Sequence, residues 1–368
     1  MALILHTEAS LGWGGQEIRI LQESIGMIGR GHRIIIAAPE ESLIFKRAQD
    51  AGVKTLAAKF RKKNPISVLK MKSLIDRERP DIVNTHSSSD SWVASIAVKL
   101  LRMHYFATKT KPKIIRTRHL STPIGKSFLS RLIYDMLPDA VMTTGEEIRQ
   151  RMIKYNGFDG SKIFSVPTGI DIERFNPASV KPAFNADGFA VGMVGVLRSW
   201  KGHGYFIEAV PEILSRIPEA VFYIVGAGPQ HENIKRMISD MALNEKVFML
   251  GHREDVAEIL ASLDVIAHPS YAHEGVPQSV LQALAMERAV VASDVGAISE
   301  VVRDGETGLL MRPRDPKHIA EKVIELHGDP DLRVRLGKDG RRLVEQNHSF
   351  ENMLDKIEKL YGNILDNA

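Results

Sequence analysis

Several short stretches hold side chains whose types and spacing suit work on an anion. In "VGVLRSWKGH" (194–203), Arg198 and Lys201 sit between a β-branched run and a helical pattern. A helix N-terminus favours an anion through its dipole and free N–H groups, and two cations placed there suit a diphosphate. In "HEGVPQSVLQALAM" (273–286), Glu274 precedes Gly275 and a helical apolar run, and Gln282 follows eight residues later. Pro277 suits a first helical position, so the helix is expected to begin near Val276 with Glu274 just outside it. A carboxylate accepts hydrogen bonds from sugar hydroxyls, and the free N–H groups of a first turn bind phosphate. One helix end could thus hold both parts of a sugar nucleotide. Taken alone, Glu274 also fits as a plain partner of the helix dipole.

Two glycine loops follow β-branched runs. "LGWGGQE" (11–17) has Gly12, Gly14 and Gly15, which allow close approach of backbone to a ligand. "VGAGP" (225–229) is similar. Neither is a G-x-G-x-x-G fingerprint, because Glu17 and His231 occupy the last glycine positions. A nicotinamide cofactor is disfavoured, and each loop alone also fits a tight turn. His86 closes "DIVNTH" and His119 closes "IIRTRH". A lone histidine is more often structural, but two at strand ends in one half of the chain make both functional candidates.

The elements that must position these residues alternate along 368 residues, a length that suits two domains. In the first half, Leu3–His6, Arg33–Ala38, Asp81–Thr85, Lys113–Thr117 and Ala140–Thr144 read as strands, with helical patterns such as Gln16–Ile28, Ile66–Arg79 and Glu146–Tyr155 between them. Three prolines (Pro167, Pro177, Pro182) interrupt the rhythm, placing a linker over Pro167–Gly188. Strands then resume at Val191–Gly195, Val221–Val225, Val247–Leu250, Val265–His268 and Ala289–Ser293. The expected fold is α/β: two doubly wound parallel-sheet domains in series, facing across a cleft, with ligands beyond the carboxyl ends of the strands. A final helix, Phe350–Leu365, has an apolar stripe at Met353, Ile357, Leu360 and Ile364 that must dock.

Composition removes several function classes. Cysteine is absent, which excludes disulfides, thiol nucleophiles and Cys-ligated zinc. No apolar run reaches the roughly 18 residues of a membrane helix, and the first residues read as a strand and loop rather than a signal peptide. The only acidic D-x-D, Asp329-Pro330-Asp331, lies between two C-terminal helical patterns, away from these loops. Residues 1–165 carry 27 Lys and Arg against 15 Asp and Glu, a surplus of +12, while the remainder carries 22 against 30, or −8. Residues 58–72 and 99–113 mix basic side chains with Phe60, Tyr105 and Phe106, a combination that suits an anionic membrane interface. Nucleic acid is not an expected partner, since no recognition motif accompanies the charge.

Together these loops resemble the retaining glycosyltransferases of family 4, which have the two-domain GT-B fold with Rossmann-like halves. The densest stretch is "VFMLGHREDVAEILASLDVIAHPSYAHEGVPQSVLQALAMERAVVASDVGAISEVVRDGETGLLMRPRD". "PTGIDIERFNP" resembles the family's linker signature, with Thr168 where Asn is usual. The resemblance implies an acceptor-binding domain over 1–178 plus the helix 350–368, and a donor-binding domain over 179–349. Glu274 looks like the first Glu of the family's E-x7-E motif, which contacts the donor sugar. Gln282 falls on the second, which holds the ribose; an amide there implies looser donor binding. Lys201 matches the diphosphate-binding Lys. The Arg usually found five residues before it falls on Val196, and Arg198 is the candidate substitute. His119 matches a histidine near the reacting centre, with His86 as an acceptor-side candidate. Gly14 and Gly15 match the loop over the diphosphate, and Arg253 lies near the nucleobase position.

The chemistry implied is same-face sugar transfer with retained configuration, the departing diphosphate acting as base. Lys201, Arg198 and the N–H groups of Gly275 and Val276 would stabilise it without a metal. The expected partners are a nucleotide-sugar donor, with uridine favoured, and a glycan or lipid-linked acceptor of envelope polysaccharide or lipopolysaccharide. The expected location is cytoplasmic, with peripheral membrane contact. A non-catalytic sugar-nucleotide-binding protein and a GT-B sugar-nucleotide epimerase are the alternatives.

Overall fold

The computed structural model describes residues 1–60, 64–104, 111–272 and 274–366. They form two compact units, one of Met1–Pro167 with Met353–Ala368, the other of Thr168–Asn352.

The first unit has strands β1 (Leu3–Thr7), β2 (Arg33–Ala38), β3 (Lys54–Ala57), β4 (Ile82–Thr85), β5 (Lys113–Arg118), β6 (Ala140–Thr143) and β7 (Ile163–Ser165). All pair in parallel, in the order β3-β2-β1-β4-β5-β6-β7. The second unit has β8 (Ala190–Val194), β9 (Val221–Val225), β10 (Val247–Gly251), β11 (Val265–His268), β12 (Ala289–Ser293) and β13 (Leu309–Met311). Its order is β10-β9-β8-β11-β12-β13, again parallel throughout. Buried runs such as Ile34–Ala38 and Ala289–Ser293 explain this choice: a strand apolar on both faces must be covered on both faces by helices.

Strand order reverses between β1 and β4 in the first unit and between β8 and β11 in the second. In doubly wound sheets such a reversal of strand order is where ligands bind, beyond the carboxyl ends of the strands. The β8 loop carries Lys201 and the β11 loop carries Glu274. In the first unit, His6 lies on β1, His86 follows β4 and His119 follows β5.

The two compact units divide at 167/168, at the start of the proline-rich segment, rather than at 178/179. Ile170 and Phe175 are buried in the second unit's core, and Ile172, Val180 and Phe184 pack against it. Arg341 fixes the segment further by donating to the carbonyl of Phe175 at 2.9 Å. The chain returns to the first unit through the helix Phe350–Asp366, whose Met353, Ile357, Leu360 and Ile364 are all buried. β3, β7 and β13 were not apparent from the sequence. Each is an edge strand of three or four residues, too short for a readable apolar run.

Candidate functional site

In the second unit, β8 ends at Val194 and the chain turns through a single 3-10 turn, Ser199–Lys201, into the helix His203–Arg216. Gly202 at the junction has φ +79°, and a Cβ there would sit 2.0 Å from the carbonyl oxygen of Pro269. Glycine is required by both the left-handed backbone and the close approach. The Tyr271 N–H donates to the Trp200 carbonyl at 2.9 Å, closing the β8 loop onto the β11 loop. The result is a short ion pair: Lys201 Nζ stands 2.7 Å from Glu274 Oε1.

Glu274 is 6% exposed. Burial alone pushes its carboxyl up, but the Lys201 ammonium and the His268 imidazole outweigh that and hold it well below the usual carboxylate range. His268, the last residue of β11, places Nε2 3.7 Å from the same oxygen and 3.2 Å from Ser270 Oγ. Burial lowers its own pKa against the pull of Glu274. His203 is lowered to about 4 by burial, then by Lys201 and His268. The group therefore carries one fixed anion, one fixed cation and neutral imidazoles at neutral pH. Lys201 keeps an 18% exposed side chain and two N–H donors beyond the one given to Glu274, so it can also hold an incoming oxyanion.

The helix after Glu274 runs Gln278–Ala285 and starts two residues later than the sequence suggested. Pro277 is its cap, with ψ 130°, an extended value that cannot begin a helix. The first-turn N–H groups therefore belong to Gln278 and Ser279. Those of Gly275 and Val276 lie in the preceding loop, with no protein acceptor among the described residues. Gln282 is half-buried on this helix, and its amide has no protein partner among the described residues.

Arg198 and Arg253 are not drawn into this group. The exposed Arg198 guanidinium lies over the Trp200 ring, 5.1 Å from its centroid, and makes no ion pair with Glu274. Arg253 spends its fork on Asp255, with contacts of 2.8 and 2.5 Å. The loop 225–229 supports the site from behind. Gly226 has φ +143°, and a Cβ on it would meet the Gly195 carbonyl oxygen at 1.9 Å. The Leu197 N–H donates to Ala227 O at 3.0 Å, so this glycine loop seats the β8 loop.

In the first unit, Gly14 caps the helix Gly15–Gly29, and its N–H donates to Glu17 Oε2 at 2.9 Å. Glu17, the residue that broke the glycine fingerprint, thus occupies the Gly14 N–H donor as a helix cap. His86 is buried and stands between His6 and His119, with ring nitrogens 2.9 and 3.0 Å apart. Beside it lies a buried carboxyl pair. Burial and the nearby Asp90 push Glu8 up to about 8, against hydrogen bonds from Ser10 and Gln16. Asp90 accepts from Thr7 Oγ1 and from the His86 N–H, both at 2.8 Å. Asp329 caps the helix Pro330–Asn347 by accepting from the Leu332 N–H at 2.9 Å.

Residues 13–174 match the family described as Glycosyltransferase Family 4, and residues 188–329 match Glycosyl transferases group 1. The chain is a family 4 glycosyltransferase. Among its relatives is the Escherichia coli UDP-Gal:alpha-D-GlcNAc-diphosphoundecaprenol alpha-1,3-galactosyltransferase, 28% identical over 319 residues, covering 82% of this chain and 80% of that one. The Staphylococcus aureus capsular polysaccharide biosynthesis glycosyltransferase CapM is 26% identical, with 81% of each chain covered. A solved Rickettsia africae glycosyltransferase superposes over 100% of this chain and 99% of its own, with a TM-score of 0.87 and 22% identity. Anabaena Alr3699/HepE, solved with UDP and glucose, gives 0.85 and 17%, covering 98% of this glycosyltransferase and 100% of that chain. The architecture is the GT-B fold.

Four residues of this enzyme's polar groups went unnoticed in the sequence: His268, His6, Glu8 and Asp90. The rule that singled out His86 and His119, a histidine at a strand's carboxyl end, applies equally to His268 and to His6, the penultimate residue of β1. Glu8 and Asp90 gave no such signal, since their burial depends on the sheet order.

Proposed function

We propose that this glycosyltransferase transfers with retention, from a uridine-diphosphate sugar to a lipid-linked or glycan acceptor of cell-envelope polysaccharide or lipopolysaccharide. The observation that carries the reading is the buried Glu274 bonded to the part-exposed Lys201 at a topological switch point. As the anomeric C–O bond breaks, negative charge grows on the leaving diphosphate. The two remaining Lys201 donors and the N–H groups of Gly275, Val276 and the following first turn supply hydrogen bonds where that charge appears. Glu274 stays ionised and accepts hydroxyls of the donor sugar, Gln282 meets the ribose, and His119 contacts the sugar near the reacting carbon. The departing phosphate takes the acceptor's proton, and no metal is needed. Arg198 could join only after leaving the Trp200 ring.

The donor assignment is supported by the UDP in the name of the Escherichia coli relative and in the Anabaena complex. The acceptor is supported by the diphosphoundecaprenol and capsular polysaccharide of the relatives' names. We place the enzyme at the cytoplasmic face of the membrane, held by the basic first unit. Among the described residues no helix is long and apolar enough to cross a membrane. Ile66, Leu69, Leu100 and Met103 are exposed on the neighbouring helices Pro65–Glu78 and Ser88–His104, with Lys70 beside them. Such apolar and cationic side chains suit an anionic surface. Phe60 instead packs on the core, and Arg61, Lys62, Lys63, Tyr105 and Phe106 lie outside the described residues.

A panel of nucleotide sugars tests the donor by thermal shift. A UDP-sugar is expected to raise Tm by mass action, and equal shifts from guanosine and adenosine donors would remove the uridine assignment. The anomeric configuration of the product, read by NMR, tests retention. Epimerised nucleotide formed without acceptor would instead identify an epimerase.

A further inference from the structure

Three imidazoles form a row through the first unit at its switch point. His6 Nδ1 and His86 Nε2 are 2.9 Å apart, and His86 Nδ1 and His119 Nε2 are 3.0 Å apart. Behind His6, its Nε2 stands 4.0 Å from Glu23 Oε1. That oxygen accepts the Tyr361 hydroxyl at 2.9 Å, from the C-terminal helix. Arg19 Nε lies 4.0 Å from the other Glu23 oxygen. Glu23, Arg19, Tyr361 and His6 are 0–1% exposed. His119, at the other end, is part-exposed, and its Nδ1 has no protein partner among the described residues.

Each contact between rings needs one N–H and one lone pair. Burial lowers all three histidines below their ordinary value, with Arg19, Arg116 and Arg118 adding to this at His119. All three rings are therefore neutral and each has one proton to place. The direction of one hydrogen bond then fixes the next. In one register every N–H is on Nε2, pointing toward Glu23, and His119 Nδ1 is a bare lone pair. In the other register every N–H is on Nδ1, and a His6 lone pair faces Glu23.

Charge selects between them. Arg19 stays protonated, and its buried guanidinium is matched by Glu23. Burial raises the Glu23 carboxyl above its ordinary value despite Arg19 and the Tyr361 hydroxyl, and it is the buried Arg19 cation that requires Glu23 as its counter-ion. An anionic oxygen 4.0 Å from His6 Nε2 attracts an N–H and repels a lone pair.

We propose that His6 and His86 are positioning residues which, oriented by Glu23 and Tyr361, lock His119 in the Nε2–H tautomer and present its Nδ1 as an acceptor for a hydroxyl of the donor sugar. The final clause rests on the glycosyl-transfer reading; the tautomer lock does not.

The test is a long-range 1H–15N correlation spectrum of the full chain labelled with 15N-histidine, without ligand. His6, His86 and His119 are expected to show the Nε2–H pattern. An Nδ1–H pattern or a mixture at His119 overturns the lock. In Glu23→Gln the amide can donate to His6 Nε2, so His119 is expected to switch to Nδ1–H, and an unchanged tautomer overturns the proposal. Should that variant not fold, His6→Leu removes the acceptor of His86 and is expected to leave His86 and His119 in mixed tautomers; a pure Nε2–H pattern there overturns it equally. These spectra need no donor, so they decide the lock even if transfer is never observed. The sugar contact is read from kinetics. Glu23→Gln is expected to lower kcat about tenfold, the loss of one neutral hydrogen bond, with the acceptor KM unchanged. An unchanged kcat overturns the sugar contact.

Discussion

Replacing Lys201 with Met removes the partner of a carboxylate that is 6% exposed. Breaking a buried ion pair from one side typically costs about 3–5 kcal/mol, because the remaining charge stays desolvated. Lys201 is 18% exposed and His268 still faces Glu274, so the low end, about 3 kcal/mol, is expected. For a unit of this size that lowers Tm by roughly 6–12 °C. The sign with pH follows from the direction of the Glu274 shift. In the wild type its folded pKa is depressed, so it contributes stability above the unfolded value of about 4.3, lost as pH falls through the lower folded value. Without Lys201, burial becomes the dominant influence and raises the carboxyl. The variant then relieves its cost by protonation as pH falls, and the Tm gap to wild type narrows from pH 7.5 to pH 5. Adding Glu274→Gln removes the charge itself and is expected to restore most of the lost Tm while leaving transfer at background. Calorimetric or fluorescence melts of the three proteins at both pH values measure this. A Tm loss that is the same at both pH values and is not recovered in the double variant would refute the reasoning, because it would show that the pair is not electrostatically coupled.

Other perturbations test separate parts of the account. If Gln282 meets the ribose as proposed, Gln282→Glu turns a neutral contact into a charge-assisted one, worth roughly 1 kcal/mol more, and is expected to lower the donor KM about fivefold; a raised KM would place Gln282 off the ribose. Gly202→Ala forces a left-handed non-glycine residue against the Pro269 carbonyl and is expected to cost at least about 1–3 kcal/mol, seen as a lower Tm. Excess EDTA is expected to leave transfer intact, and a loss restored by a divalent ion would contradict the metal-free mechanism.

The sequence allowed the two parallel sheets to be read because their central strands are apolar on both faces, as at Ile34–Ala38 and Ala289–Ser293. It placed Lys201 and Glu274 in loops after β8 and β11, although only the reversal of strand order makes those loops neighbours. The start of the Gln278 helix was missed because Pro277 fits both a cap and a first turn, and only its ψ of 130° separates them. The role of Glu17 was hidden for a related reason. A residue that spoils a glycine fingerprint can be a helix cap, and the two are indistinguishable until the Gly14 N–H is seen bonded to it. The histidine row depends on three strands separated by long crossovers, which no local pattern encodes.

The most direct measurement is transfer from a UDP-sugar by Glu274→Ala, run beside wild type with its fold checked by circular dichroism. The account expects a folded protein whose kcat is reduced at least about a hundredfold, comparable to losing a preorganised transition-state contact. A folded Glu274→Ala enzyme that transfers at the wild-type rate would contradict it.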